Sequence, residues 1–340
     1  MPLSTSNSND RLPNAHWRKT WFFSLIIVVM SLFVWEEICK TSGFTADSVR
    51  DTDVLWARTR EKASLLKDKA VILLGASRMQ LGLNLKVLRQ YTQTHPVQLA
   101  IDGNGFFPVL ENLANDPEIT GTIIISVDVQ HLSRQTKSDR ANEWVQYYNE
   151  RKSNRMPLYY RGLEEKLSIW VNQLFAFRVA DAKPHQVLYS IITNTGNFHN
   201  IIYTLPDRSR QADYSQYVNN EAKKRVQNIK RQPVVGTDPD FLTRIDELEA
   251  LIKRIQDRGG KVVLVRFPSD GNAWKGENLA YPREFYWDKI TANVSCRTIH
   301  FKDYPALSKY TLPDGSHLDY RDAIPFTQSL AEIIFNKPGI

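Results

Sequence analysis

The hydrophobic pattern changes character three times along the chain. Thr20 to Trp35 (TWFFSLIIVVMSLFVW) carries no charge and is bounded by Arg18 and Lys19 before it and by Glu36 and Glu37 after it. Such a run predicts a transmembrane helix over residues 20–36, with Trp17, Trp21 and Trp35 at the interfaces. From residue 69 onward, short apolar runs alternate with amphipathic stretches. Val71–Leu74, Val97–Ile101, Gly121–Val127, Val262–Phe267 and Thr298–Phe301 read as strands buried on both faces. Leu85–Tyr91, Phe107–Ala114 and Arg321–Phe335 read as helices. Another helix, with Asp238 as N-cap and Pro239 as first residue, lines up Phe241, Ile245, Leu248, Ile252 and Ile255 on one face until Gly259 stops it. Strand and helix units in this order predict an α/β fold with a parallel sheet.

Residues 134–235 break the rhythm and read as a helical insertion or cap. They include Trp144, Tyr147, Tyr148, Tyr159, Tyr160, Trp170, Phe175 and Phe177, with a helical stretch over Leu163–Phe177. These aromatics could stack on sugars, but the area they bury favours packing onto the core. The polar run Pro206–Ser215 is expected to be a mobile loop. The resulting layout is a disordered cytoplasmic tail (1–19), a transmembrane helix (20–36), a membrane-proximal helical linker (37–68) and an α/β domain (69–340) holding the 134–235 insertion.

Charge changes this picture in one respect. Arg11, Arg18 and Lys19 precede the apolar run, whereas Glu36, Glu37 and Asp47 follow it. This asymmetry places the N-terminus in the cytoplasm of a single-pass plasma (inner) membrane protein, with the large domain periplasmic or extracellular. The formal net charge of +7 over 340 residues is interspersed rather than blocked, and no nucleic-acid motif accompanies it, so a nucleic-acid partner is not expected. Cys39 and Cys296 form no disulfide framework and no metal-ligand spacing; neither a metal nor a cofactor is expected.

The chemistry gathers at strand ends. Ser77 follows the Val71–Leu74 run and Gly75, where open α/β sheets place their ligands, and is a candidate nucleophile as well as a candidate helix cap. Asp314 and His317 stand three apart in Leu312-Pro-Asp-Gly-Ser-His-Leu318. In such a loop the carboxylate can orient the imidazole through Nδ1 and leave Nε2 to accept a serine proton; alternatively Asp314 only shapes the turn.

Ser77 in GASR, Gly103 in IDGNG, and Asp314 with His317 in PDGSHLD together resemble the SGNH branch of the GDSL hydrolases. The chain is most similar in outline to membrane-anchored members that transfer acyl groups on envelope polysaccharides. The resemblance covers roughly residues 69–131 and 260–335. It implies a flavodoxin-like three-layer α/β/α sandwich and a Ser77–His317–Asp314 triad, with the backbone N–H groups of Ser77 and Gly103 facing the oxyanion. The family's Gly-Asp-Ser is here Gly-Ala-Ser, and its Gly-x-Asn-Asp block is replaced by Ser126-Val127-Asp128-Val129. Asn104 is the candidate to supply the missing side-chain donor. Arg78 is a candidate for binding an anionic or sugar substrate, or else a structural ion-pair partner. The function implied is a serine esterase or O-acyltransferase acting on an acylated envelope or exported polysaccharide or another surface glycan, with other envelope-biosynthesis proteins as candidate partners. The alternative is a catalytically silent, membrane-anchored scaffold or glycan-binding protein.

Overall fold

The computed structural model describes residues 17–41, 49–132, 138–153, 202–215 and 239–336, with scattered residues between 167 and 192. Expectations for the 1–16 tail, for Asp238 as a cap and for most of the 154–235 stretch lie outside the described residues. Helix α1 runs from Trp17 to Thr41. Its 25 residues rise ~37 Å, and it is long and apolar enough to cross a membrane. At its end Glu36 is buried, and its carboxylate accepts the N–H groups of Ala176 (3.0 Å) and Phe177 (3.1 Å).

Helix α2 (Asp53–Leu66) begins at an N-cap, Thr52, whose hydroxyl accepts the Leu55 N–H. Then come β1 (Ala70–Leu74), α3 (Ser77–Gly82), α4 (Leu85–Thr92), β2 (His95–Gln98), α5 (Phe107–Ala114), β3 (Thr122–Ser126) and α6 (Asp139–Ser153). A hairpin, β4 (Ile202–Thr204) and β5 (Arg210–Ala212), precedes α7 (Pro239–Gln256), β6 (Lys261–Arg266), α8 (Gly271–Ala280), α9 (Trp287–Asn293), β7 (Arg297–His300), α10 (Pro305–Ser308) and α11 (Tyr320–Phe335).

Five strands form one parallel sheet in the order β2-β1-β3-β6-β7. Alternation along each strand divides the core in two. Ile72, Leu74, Ile123, Ile125, Val262 and Leu264 meet Trp56, Leu110, Ile252 and Ile290 on one face. Val71, Leu73, Ile124, Val263 and Val265 meet Leu88, Phe326 and Leu330 on the other. Each such aliphatic side chain contributes about 1.5–3 kcal/mol on burial, so both faces of the sheet resist exposure.

Two expectations need correction. The second strand begins at His95 rather than Val97, because β2 is the sheet's edge and an edge tolerates Pro96, which has no N–H to offer a ladder. The run Pro206–Ser215 is not a mobile loop: it holds the turn and second strand of the β4–β5 hairpin. Arg208 at its tip is fully buried, donating to both Asp51 carboxylate oxygens (2.6 and 2.8 Å) and to the carbonyls of Gln98 (2.6 Å) and Ala100 (3.1 Å). Within the expected insertion, Trp144 and Tyr148 of α6 pack against Trp56 in the core, as ordinary aromatic packing predicts.

Candidate active site

β1 leads outward to β2, and the chain then returns to lay β3 on the opposite side of β1. The order therefore reverses between β1 and β3, and the crevice beyond their carboxyl ends is where open α/β sheets bind ligands. Gly75 makes the turn out of β1 with φ +140°, and a Cβ there would stand 2.8 Å from the Ser126 Cβ, so only glycine fits without displacement. Two residues later Ser77 opens α3, which leaves its N–H among those a helix cannot use internally.

The loop before α11 supplies the partners. His317 Nε2 lies 2.8 Å from Ser77 Oγ, and His317 Nδ1 lies 2.7 Å from Asp314 Oδ2. Asp314 Oδ1 accepts the N–H groups of Ser316 (2.9 Å) and His317 (2.8 Å), so the carboxylate is fixed by its own loop before it orients the ring. Tyr214 adds a hydroxyl donor to Oδ2 at 2.8 Å. Burial alone would push Asp314 up, but the hydrogen bond and charge of His317, then the Ser316 N–H and the Tyr214 hydroxyl, hold it well below the usual carboxylate range. Asp314 is thus a permanent acceptor for Nδ1–H, which leaves Nε2 free to take a proton from Ser77. Ser77 and His317 are both half-buried, within reach of a ligand.

The remaining expected site residues take different places. Gly103 sits in an exposed turn with φ +67° and open space where a Cβ would be. The Ile101 N–H donates to the Gly75 carbonyl at 3.0 Å, which lays this turn's stem beside the turn that carries Ser77. Asn104 holds its loop to α6. It is 2% exposed, its amide nitrogen donates to the Asp102 carbonyl (2.9 Å), and its oxygen accepts the Ala141 N–H of α6 (3.3 Å). Of the two readings of Arg78, the structure bears out the structural ion-pair partner. It is 6% exposed and pairs with Asp128 and Glu277, and Arg266 pairs with the same two acids, closing a four-residue ring. Burial opposes the charge on Arg78, yet Asp128 and Glu277 raise its pKa; burial would raise Glu277, yet Arg78 and Arg266 lower it. Arg78 also donates to Ser316 Oγ (3.1 and 3.2 Å), which ties the helix that Ser77 opens to the His317 loop.

Sequence reasoning missed Tyr214, Arg266, Glu277 and Ser316. The first lies in a run whose polarity hid a hairpin; the others are joined to Arg78 only through the fold, with Ser316 distinguished solely by its place beside His317. A cavity lined by Asp128, Arg266, Glu277, Trp274, Trp287 and His300 shares three members of the ring but neither Ser77 nor His317. Among the described residues, no group of three or more His, Cys, Asp and Glu side chains is placed to hold a metal ion. No protein-family model matches this chain, and no curated protein matches its sequence.

Proposed function

We propose that the chain is a membrane-anchored serine acyl enzyme of the SGNH type, an esterase or O-acyltransferase acting on an acylated envelope or exported polysaccharide. The observation that carries this reading is the unbroken hydrogen-bond relay from Ser77 Oγ to His317 Nε2 and from His317 Nδ1 to Asp314. In this mechanism His317 takes the proton of Ser77 as the hydroxyl attacks an ester carbonyl, and Asp314 stabilises the imidazolium that forms. The Ser77 and Gly103 N–H groups receive the oxyanion. Collapse of the tetrahedral adduct, with His317 returning the proton to the leaving alcohol, gives an acyl-serine that water or a sugar hydroxyl then resolves. The strand order and the apolar packing on both sheet faces support the flavodoxin-like three-layer α/β/α reading.

The length and composition of α1 and the charges flanking it support a cytoplasmic N-terminus, with the catalytic domain on the outer side of the plasma membrane. The tether would then concentrate the site near surface glycans.

A second reading, a silent scaffold or glycan-binding protein, is favoured by one feature: Asn104 and Asp128 are both engaged with structural partners. One experiment separates the two. The full chain in detergent micelles is treated with a fluorophosphonate probe and with p-nitrophenyl acetate. Labelling that is abolished by Ser77→Ala and weakened by His317→Ala is the expected result. A folded parent that is inert to both reagents overturns the enzyme.

A further inference from the structure

Tyr214 reaches the Asp314–Asp319 loop at both ends. Its backbone N–H donates to Asp319 Oδ2 at 2.9 Å, and its hydroxyl donates to Asp314 Oδ2 at 2.8 Å. Asp319 is itself the N-cap of α11, accepting the Arg321 N–H and held by the Arg321 guanidinium. The tyrosine is 8% exposed and packs with Leu81 and Ala212, so it sits between α3 and the end of the β4–β5 hairpin. Buried Arg208 latches that hairpin to Asp51 and to the carbonyls of Gln98 and Ala100 at and beyond the end of β2, and the Val49 N–H donates to the Thr204 carbonyl at 2.8 Å.

A carboxylate offers about four acceptor sites. In Asp314 all four are used, two by its own loop's N–H groups, one by His317 and one by Tyr214. The side chain is only 7% exposed, so Tyr214 supplies what solvent would otherwise provide. Without that hydroxyl, Oδ2 faces His317 alone and one acceptor site of a buried carboxylate is left unpaired.

We propose that Tyr214 is a positioning residue of the His317–Asp314 dyad, and that the Arg208-latched hairpin delivers it from outside the parallel-sheet core. The proposal rests on the serine acyl-enzyme reading for its catalytic consequence, but not for its effect on the dyad. The charged groups nearby are Arg78, which reaches Ser316, and Asp319, Arg321 and Asp213 on the α11 side.

The test is Tyr214→Phe in the full chain in detergent micelles, which removes one oxygen and keeps the ring that packs with Leu81. Fluorophosphonate labelling of Ser77 is expected to slow about tenfold, with the melting temperature nearly unchanged. In an Asp314→Asn background, Tyr214→Phe is expected to add almost nothing, because the two residues act through one bond. The downfield Nδ1–H proton signal of His317 is expected to move in the single variant. An unmoved signal, or a loss that is fully additive with Asp314→Asn, overturns the proposal. A parent that does not label but whose His317 signal still moves on Tyr214→Phe supports the positioning role and overturns only the serine-enzyme reading.

Discussion

Two clusters of charge sit near the carboxyl ends of the same sheet, and they are built on opposite principles. In the ring, Arg78 and Arg266 each pair with both Asp128 and Glu277, and the set closes on itself. At the dyad, Asp314 is met by backbone N–H groups, a phenol and one imidazole, whose outer nitrogen meets a serine hydroxyl among the described residues. Burial opposes the charge of Glu277 and of Asp314 alike, and in both it is outweighed. The difference lies in what outweighs it: cations on two sides hold the ring, whereas at the dyad it is hydrogen bonds and a neighbouring imidazole, the arrangement the proposed proton transfer would use. Burying a charge is common to both; leaving one partner with an unspent valence is what makes a site reactive.

The comparison can be broken at several points. Asp314→Asn should remove the acceptor that fixes the His317 tautomer and cut turnover of p-nitrophenyl acetate by on the order of 10⁴-fold, with little change in the melting temperature. Loss of fold in step with activity would erase the distinction between the clusters. Arg78→Gln should do the converse, leaving Asp128 and Glu277 short of a cation and costing about 3–5 kcal/mol in chemical denaturation. If stability is instead unchanged and KM alone rises, Arg78 binds substrate after all.

A smaller effect is expected beside the ring, at His300. Burial, then the charges of Arg283 and Arg266, lower its pKa from 6.5 to about 4. The unfolded chain takes up this proton as the pH drops through 6.5, whereas the folded chain does so only near 4, so stability falls with pH across that window and levels off below it. His300→Asn should flatten the slope, removing on the order of 2 kcal/mol of pH dependence in denaturation midpoints compared at pH 7 and pH 4.5. An identical slope in the variant would show that His300 is not the group responsible.

The smallest effect expected is that of Asn104→Ala. Turnover should change less than about tenfold, and stability should fall by about 1 kcal/mol as the loop loses its hold on α6. A fall of ~10²-fold would return Asn104 to the oxyanion role.

How much of this was legible depended on how far apart the partners lie. The run VILLGAS announced a strand, a forced turn and a serine within seven residues, and Asp314 and His317 announced each other at a spacing of three. Those features are local, and their geometry follows from the backbone. Arg78 was visible, but its meaning was not, because Glu277 joins it across 199 residues and Arg266 sits at the far end of β6. Tyr214 was harder still. An arginine in PDRSRQADYS reads as solvated, and only the distant Asp51 carboxylate and the carbonyls of Gln98 and Ala100 turn Arg208 into a buried latch. In each case hydropathy measures a residue's preference for water and is silent on whether a remote chain offers something better.

The Arg208 latch also sets a working height. It grips Asp51, and the hydrogen bond from Val49 to Thr204 fastens the chain two residues earlier, eight residues past the end of α1 at Thr41. Eight residues span at most ~28 Å, so in an anchored chain the first fixed point of the α/β domain can rise no farther than that above Thr41. Under the proposed acyl chemistry that segment would act as a short leash: esters carried near the bilayer would come within its radius, and those on the distal ends of long polymers would have to fold back to be reached.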